Sequence, residues 1–596
     1  MKQSFAPDGE KCARLSEVLA LVRPMYRKYW LRLLAGFFAL VGVGLLQLTI
    51  PRILKKGVDD LSAGLASPPF LLRLAVLICL IGIAATVLRF CWRYLIVGFS
   101  RYLERDLRKG IFNHIMSMDG PFFGRYTTGS LMAHCTNDLS AVQLACGLGT
   151  VAAIDSLVMS VAALFFMFHI HVGLTFLALL PMPILVVTTL ILSRRLRHRI
   201  NRVQEQFSLI TEFTRSSITS IRLLKAYTLE NSQAKRFDAL GLQYVKAGIQ
   251  VGMIQGLLFP TATLVGSMGM LSVLYYGGQL VMDRAISMGD FVAFVTYLYM
   301  LIWPIMAIGW VTSLSQRGVT SMRRIHTLLK HGSHLPEGVA GQRPDRPEFR
   351  FHDLTFSYPG SEKTVLESIT LEITPGILGI TGPTGCGKTT LCQLLARMYP
   401  VTDQTLFAGT RDVNDLPPAS VREMISYVGQ EPFLFSNSLE ANISFGCPGA
   451  GPAEIEQAAK AAAIHDEIMA IPEGYGALIG ERGVTLSGGQ RQRVALARAL
   501  LCDRPVLIID DGLAAVDTKT ELEIMTAIVP LLQKKTVVWV SQRVKQLARA
   551  DRIVVLEQGK ITDSGAYHDV IQRNLFLQQI SRRQRLEETT MGPGNA

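Results

Sequence analysis

The pattern of apolar and polar positions divides this chain near residue 330. Up to about Ser315 it runs in long apolar stretches; from Glu348 to about Ile580 short β-rich runs alternate with helical ones. About 20 consecutive apolar residues cross a bilayer. Six stretches qualify, at about 31–51, 71–97, 149–170, 173–193, 251–281 and 288–314. Ahead of them, Leu15–Tyr29 sets Arg23, Arg27 and Lys28 among apolar residues, which predicts an amphipathic entry helix on the membrane surface. The alternation after Glu348 predicts an α/β domain. Between the two halves, "KHGSHLPEGVAGQRPDRPE" is rich in proline, glycine and charge and reads as a linker. The expected organisation is an entry segment over 1–30, a six-span helical domain over 31–330, a linker over 331–347, an α/β domain over 348–580 and a tail over 581–596.

Loop lengths add a topology. Spans three and four are joined by almost nothing ("HIHVG"), and five and six by a short loop. Roughly fifty residues separate spans two and three, and about sixty separate four and five. One long loop carries Arg101, Arg105, Arg108 and Lys109; the other carries Arg194, Arg195, Arg197, Arg199 and Arg202. Basic loops stay cytoplasmic, so both loops and both chain ends are expected in the cytosol. The composition of these loops is helical, which predicts that the spans continue as helices beyond the membrane. Arg52, Lys55 and Lys56 after span one go against the trend, with Asp59 and Asp60 close by. Asp155 and Arg89 are charges within spans, and such charges mark candidate functional groups. Their plainer reading is a place near the inner interface. Span six carries Phe291, Phe294, Tyr297, Tyr299, Trp303 and Trp310, as a pocket for apolar substrates or as lipid-facing and packing residues. Trp303-Pro304 predicts a kink there.

Composition fits this division. At 596 residues the chain exceeds one ordinary core, and it is 49% hydrophobic and only 18% charged. The net charge of +13 would suit nucleic acid, but the basic residues flank apolar spans. Lipid is therefore expected as a partner, and nucleic acid is not. Nine cysteines show neither metal spacing nor a paired framework; they read as reduced packing residues. The first thirty residues are polar and basic, so no cleavable signal peptide is expected.

Candidate chemistry lies in the second half. "GILGITGPTGCGKTT" predicts a strand, then the loop Gly382, Pro383, Thr384, Gly385, Cys386, Gly387, then Lys388, Thr389 and Thr390 opening a helix. Small residues let backbone N–H groups curl around phosphate oxygens, Lys388 can reach the β- and γ-phosphates, and Thr389 can ligate Mg²⁺. The positive end of the helix faces the anion. In "TLSGGQRQRVALARALL", Ser487, Gly488, Gly489 and Gln490 open a second helix, a further anion site or an ordinary serine cap with turn glycines. "LIIDDGLAAVD" ends an apolar run in Asp510 and Asp511, with Asp517 six positions later.

These motifs resemble, in order, those of the ATP-binding cassette transporters, and the resemblance covers nearly the whole chain. It adds a glutamine loop ("YVGQEPFLF", Gln430), a signature ("LSGGQ"), and Tyr358 in "FSYPG" where the family stacks an aromatic on adenine. "IGERG" (Ile479–Gly483) is similar to a segment that exporters place near the cytosolic tips of the membrane helices, and Pro121–Tyr126 and Glu212–Ser220 fall at the family's coupling helices. Six spans fused ahead of one cassette resemble an exporter half-transporter. The fold implied is an α-helical six-span transmembrane domain of the type I exporter kind followed by an α/β phosphate-loop cassette. The resemblance implies ATP and Mg²⁺ as ligands, with Thr389, Gln430 and Asp510 at the metal and Asp511, Gln430, Gln542 and Asp517 as catalytic residues. Cassettes of this family pair head to tail, each ATP lying between one chain's phosphate loop and the other's signature.

Two positions depart from the family. Asp511 stands where the family has glutamate, and Gln542, in "VVWVSQRV", stands where it has the switch histidine. Aspartate is shorter by one C–C bond, roughly 1.5 Å, while a general base must come within about 2.6–3.2 Å of its proton or act through a water. Glutamine carries no proton at neutral pH. The signature has no departure. This combination resembles the degenerate half of heterodimeric bacterial multidrug-type exporters in the cytoplasmic membrane. It implies a second half-transporter with the missing Glu and His as partner, and a drug, lipid or peptide amphiphile as cargo. An ATP-gated channel or sensor is the competing class, though no regulatory insertion is visible. A DNA-repair or chaperone-like ATPase is disfavoured by the six spans.

Overall fold

A computed structural model of the chain describes residues 15–480, 486–532 and 535–590. It divides into two compact units: residues up to Met116 with Thr128–His331, and Ser117–Thr127 with the residues from Gly332 on.

In the first unit the helix Leu15–Lys28 precedes six helices that, among the described residues, are long and apolar enough to cross a membrane. These are Trp30–Ser62, Pro68–Met116, Thr128–Ile170, Val172–Thr219, Thr263–Met282 and Met288–Lys330. The long basic segments are helices, as their composition predicts. Pro68–Met116 has 49 residues, about 73 Å at 1.5 Å per residue, over twice the roughly 30 Å of a hydrocarbon core. The helix Met182–Thr219 absorbs most of Glu212–Ser220, so the short separate helix comes later than expected, at Ile221–Ala226. The helix ends at Thr219 with Ser220 as its C-cap, Ser220 N and Oγ both donating to Ser216 O (3.0 and 2.7 Å).

The core of this unit explains both the misplaced basic residues and the aromatics of span six. Arg52 lies over the ring of Phe166 at 4.4 Å, Lys56 over Phe70 at 5.9 Å, and Lys55 pairs with Asp290 at 2.5 Å. Asp59 accepts from Ser287 Oγ (3.0 Å) and Gly289 N (2.7 Å), so the end of one helix holds the start of another. Ser287 in turn caps Met288–Lys330 in a capping box with Asp290. Phe294 and Tyr297 are buried: Tyr297 stacks on Phe166 and donates to Leu48 O at 3.0 Å. Trp303, Trp310 and Tyr299 are exposed. The aromatic set thus splits into packing residues and free ones.

The second unit contains β1 (Phe349–Ser357), β2 (Thr364–Ile373), β3 (Gly376–Thr381), β4 (Leu406–Ala408), β5 (Arg411–Asp412), β6 (Ile425–Val428), β7 (Val506–Asp510), β8 (Thr536–Val540), β9 (Arg552–Glu557) and β10 (Lys560–Gly565). They form a four-stranded sheet, β2-β1-β4-β5, and a six-stranded one, β10-β9-β3-β8-β7-β6. The strands β9, β3, β8, β7 and β6 are mutually parallel. Every residue of β7 and β8 is buried, as strands covered on both faces must be. Ser117–Thr127 belongs here through Gly120 N, which donates to Met398 O at 2.9 Å, and through buried Asp119, which accepts from His334 N at 2.5 Å. A side chain at Gly120 would meet that carbonyl at 2.6 Å. Its short helix is Gly120–Arg125. The linker is pinned by Val339 N to Asp415 O (2.9 Å) and Thr410 N to Asp345 Oδ1 (3.0 Å). The helix Leu575–Thr590 runs across the boundary expected at 580. The eight described cysteines are free.

Replacing Asp59 removes two hydrogen bonds from between helices. Asp59→Ala is expected to destabilise the membrane unit by about 1–3 kcal/mol, read as a lower midpoint in reversible unfolding in mixed SDS micelles; an unchanged midpoint counts against the anchor.

Candidate functional site

The site forms where the parallel strands end. β3 stops at Thr381 and the chain turns through Gly382–Gly387 into the helix Lys388–Leu395. Gly382, Gly385 and Gly387 hold φ of +148°, +81° and +106°, open to glycine and strained for other residues. A side chain at Gly382 would overlap the carbonyl of Leu556 on β9. Lys388 is nearly buried, and its Nζ donates to Gly382 O (2.9 Å), Pro383 O (2.8 Å) and Cys386 Sγ (3.6 Å). A cation thus stands inside a glycine-rich turn at the positive end of a helix, an arrangement made for phosphate.

Beside it, Asp510 ends β7. Burial forces its oxygens to find partners: Thr389 Oγ1 donates to Oδ1 and the Tyr427 hydroxyl to Oδ2, each at 3.1 Å. Burial lifts the Asp510 pKa above the usual carboxylate range, against the stabilising bonds from Thr389 and Tyr427. The Thr389 hydroxyl and the Asp510 carboxylate bring oxygens together, the donor set a hard divalent cation prefers. These residues fit Mg²⁺ carried in on a nucleotide. Asp511 follows in a left-handed conformation, φ +52°, which aspartate tolerates better than most residues, and its N–H donates to Val540 O at 3.1 Å. Burial raises its pKa too, opposed by the charges of Lys388 and Arg543.

A pocket of about 320 Å³ joins these groups: its wall includes Tyr358, Thr384, Gly385, Gly387, Lys388, Thr389, Thr390, Gln430, Asp510, Asp511 and Gln542. Asp511 and Gln542, the two departures, therefore face the same space. Tyr358 reaches the rim with its hydroxyl against Thr390 Oγ1 (2.8 Å) and its ring edge-on to Tyr399. Gly382, Pro383 and Cys386 serve the loop from behind and do not line the pocket.

The Ser487–Gln490 segment is built elsewhere in the same unit. Ser487 Oγ accepts from Gln490 N (3.2 Å), Ser487 N donates to Gln490 Oε1 (2.8 Å), and the helix Gly488–Leu501 follows. The serine-cap reading is therefore what the geometry shows. Glu467 holds Gln490 Nε2 at 2.8 Å and Arg493 Nη1 at 2.7 Å. A side chain at Gly489 would stand 2.9 Å from Ala515 O, so the helix start lies against the turn after β7. Asp517 caps the next helix through Thr520 N (2.9 Å) and lies outside the pocket wall. Of "IGERG", Glu481, Arg482 and Gly483 lie outside the described residues.

Sequence reasoning missed the residues that tie the two parts together. Gln492 Oε1 accepts from Ala515 N at 2.8 Å. Arg543 donates to Val516 O (3.0 Å) and Ala514 O (2.9 Å) and pairs with Glu521. Gln584 brackets the switch, donating to Gln542 O (2.9 Å) and accepting from Val544 N (3.1 Å). Only Arg543 had a signal, its place next to Gln542.

Comparison with known proteins agrees with this geometry. Residues 33–305 match the ABC transporter transmembrane region and residues 366–514 the ABC transporter family. The multidrug resistance-like ATP-binding protein MdlA of Escherichia coli (strain K12) is 34% identical over 564 residues, 94% of this chain and 96% of that protein. The probable multidrug resistance ABC transporter ATP-binding/permease protein YheI of Bacillus subtilis (strain 168) is 30% identical, over 96% of this chain and 98% of its own. An ATP-dependent lipid A-core flippase of Syntrophus aciditrophicus (strain SB) is 28% identical, over 93% and 92%. The solved structure of a bacterial Atm1-family ABC exporter with ATP bound shares the fold, with a TM-score of 0.77 at 24% identity over 94% of this chain and 99% of that one.

Lys388→Ala removes the cation from the loop. Titration with a fluorescent trinitrophenyl-ATP should show affinity at this pocket weakened roughly tenfold or more; an unchanged isotherm would place the phosphates elsewhere.

Proposed function

Since this chain belongs to the ABC transporter family and is an ATP-driven exporter, a multi-pass membrane protein with an ATP-hydrolysing cassette, we propose that it works as the degenerate half of a heterodimer. The observation that carries the reading is the meeting of Asp511 and Gln542 in one pocket, beside an intact Ser487–Gln490. The weak position of a general base and the loss of a titrating switch residue fall on the same site.

In this reading the pocket binds ATP through Gly385–Thr390 and Tyr358, with Mg²⁺ held by Thr389, Asp510 and Gln430. Bound Mg²⁺ would draw charge from the phosphates. Asp511 faces the water's side of the pocket, and Gln542 offers it a hydrogen bond but no proton relay. Asp517 and the signature act across the interface, where Ser487, Gly488 and Gly489 present a helix start to the partner's nucleotide. The partner supplies the glutamate and histidine. This chain then holds ATP at its own phosphate loop and completes the hydrolytic site at its signature.

The cargo class follows the relatives, which are named for multidrug resistance and for lipid A-core: an amphiphile taken from the cytosol or the inner leaflet. The basic helices that extend both long segments support cytosolic termini and a place in the bacterial cytoplasmic membrane.

Two substitutions in one polypeptide should behave unequally. In the assembled pair at saturating Mg-ATP, Asp511→Asn should lower steady-state ATPase only modestly, whereas Ser487→Ala or Gly488→Asp should nearly abolish it. The chain alone should turn over slowly, since lack of a well-placed base costs about 10²–10⁴ in rate. Brisk hydrolysis by the chain alone, or an Asp511→Asn pair as inactive as the signature variant, would overturn the reading.

A further inference from the structure

Several acids of the membrane unit are held by partners: Asp59 has Ser287 and Gly289, Asp290 has Lys55, and Asp138 has His134 and Arg324. Asp155 is different. It lies in the helix Thr150–Ile170, roughly 22 Å along the axis from its end. Among the described residues it forms neither a hydrogen bond nor an ion pair. Arg89, the basic group whose field reaches it, is exposed and not in ion-pair contact. A carboxylate among apolar helices is costly to keep, and one without a partner among the described residues points to a partner from outside.

Asp155 faces a cavity of about 420 Å³, shared with Gln47, Met159, Thr296, Met300 and Trp303. That is the size of a small-molecule site. Its wall offers further acceptors beside the Asp155 carboxylate, along with the Gln47 amide and the Trp303 indole N–H. Pro51 and Pro304 stand inside the helices Trp30–Ser62 and Met288–Lys330. A proline has no N–H for the carbonyl four residues before it; those carbonyls belong to Gln47 and Met300, and both residues line the cavity. Thr296 donates its hydroxyl proton to Val292 O at 2.9 Å, which leaves its lone pairs for the cavity. Trp303 is 64% exposed and offers an indole face, and the methionines give adaptable apolar wall.

We propose that this cavity binds amphiphilic organic cations carrying N–H donors, that is protonated amines, with Asp155 as counter-ion and Trp303 against the apolar body. The proposal deepens the export reading by naming its substrate class, while the binding it asserts needs no ATP.

The test is energy transfer from tryptophan in the full chain, in nanodiscs, to dansylcadaverine, a protonated amine, and to its neutral N-acetyl derivative. Empty nanodiscs set the background. The wild-type protein should prefer the amine by roughly 10- to 100-fold, the value of one charge-assisted hydrogen bond. Asp155→Asn should erase the preference while the neutral compound stays within about twofold, and Asp155→Glu should keep it. Equal affinities in the wild-type protein, a preference that survives Asp155→Asn, or loss of both compounds together overturns the proposal. Amine-selective binding without ATP-dependent movement of either compound in inverted vesicles carrying the assembled pair would overturn the export reading and leave the site standing. Equal transport of both, unaffected by Asp155→Asn, would do the reverse.

Discussion

Asp510 loses its water at the end of β7, and the groups that replace that water organise the site. Thr389 comes from the phosphate-loop helix and Tyr427 from β6, so one buried carboxylate holds three elements in register. An unpaired charge there would cost more than several ordinary contacts contribute. The same rule governs the membrane unit. Lys55, Arg52 and Lys56 sit where positive charge is out of place, and an acid or an aromatic face answers each. Asp59 answers a helix start. Polar partnership, more than apolar packing, decides which helix ends meet, because apolar surface alone has no direction.

Seen this way, the two halves of the nucleotide chemistry are physically separable within one cassette. The phosphate loop, Asp510 and Asp511 sit at the ends of parallel strands, the usual place for ligands in such sheets. The Ser487 helix is fixed on its own, by its capping box and by Glu467. Arg543 and Gln492 join the two through the turn 514–516, one bracing its carbonyls and the other its N–H.

The aromatics of span six show how one sequence pattern serves two ends. Phe294 and Tyr297 enter the core, where Tyr297 also satisfies its hydroxyl on Leu48 O. Trp303 and Trp310 remain exposed, and Trp303, next to Pro304, lines the same cavity as Asp155. Helical spacing alone assigns no face when apolar residues surround the helix.

Six spans, their long helical extensions, the α/β second half and the phosphate loop were all legible in the sequence. Bilayer thickness fixes span length, and backbone geometry fixes where a phosphate loop needs glycine, so these features are written locally. The two departures, Asp511 and Gln542, were legible as residues. That they face one pocket is a matter of β7 and β8 lying side by side, although their segments are about thirty residues apart. The partners of charge were equally out of reach: Tyr427 for Asp510, Asp290 for Lys55, Gln584 for the switch, and none among the described residues for Asp155. Each depends on which elements come together in space, and a hydrogen bond between distant segments leaves no period or spacing in the sequence to read.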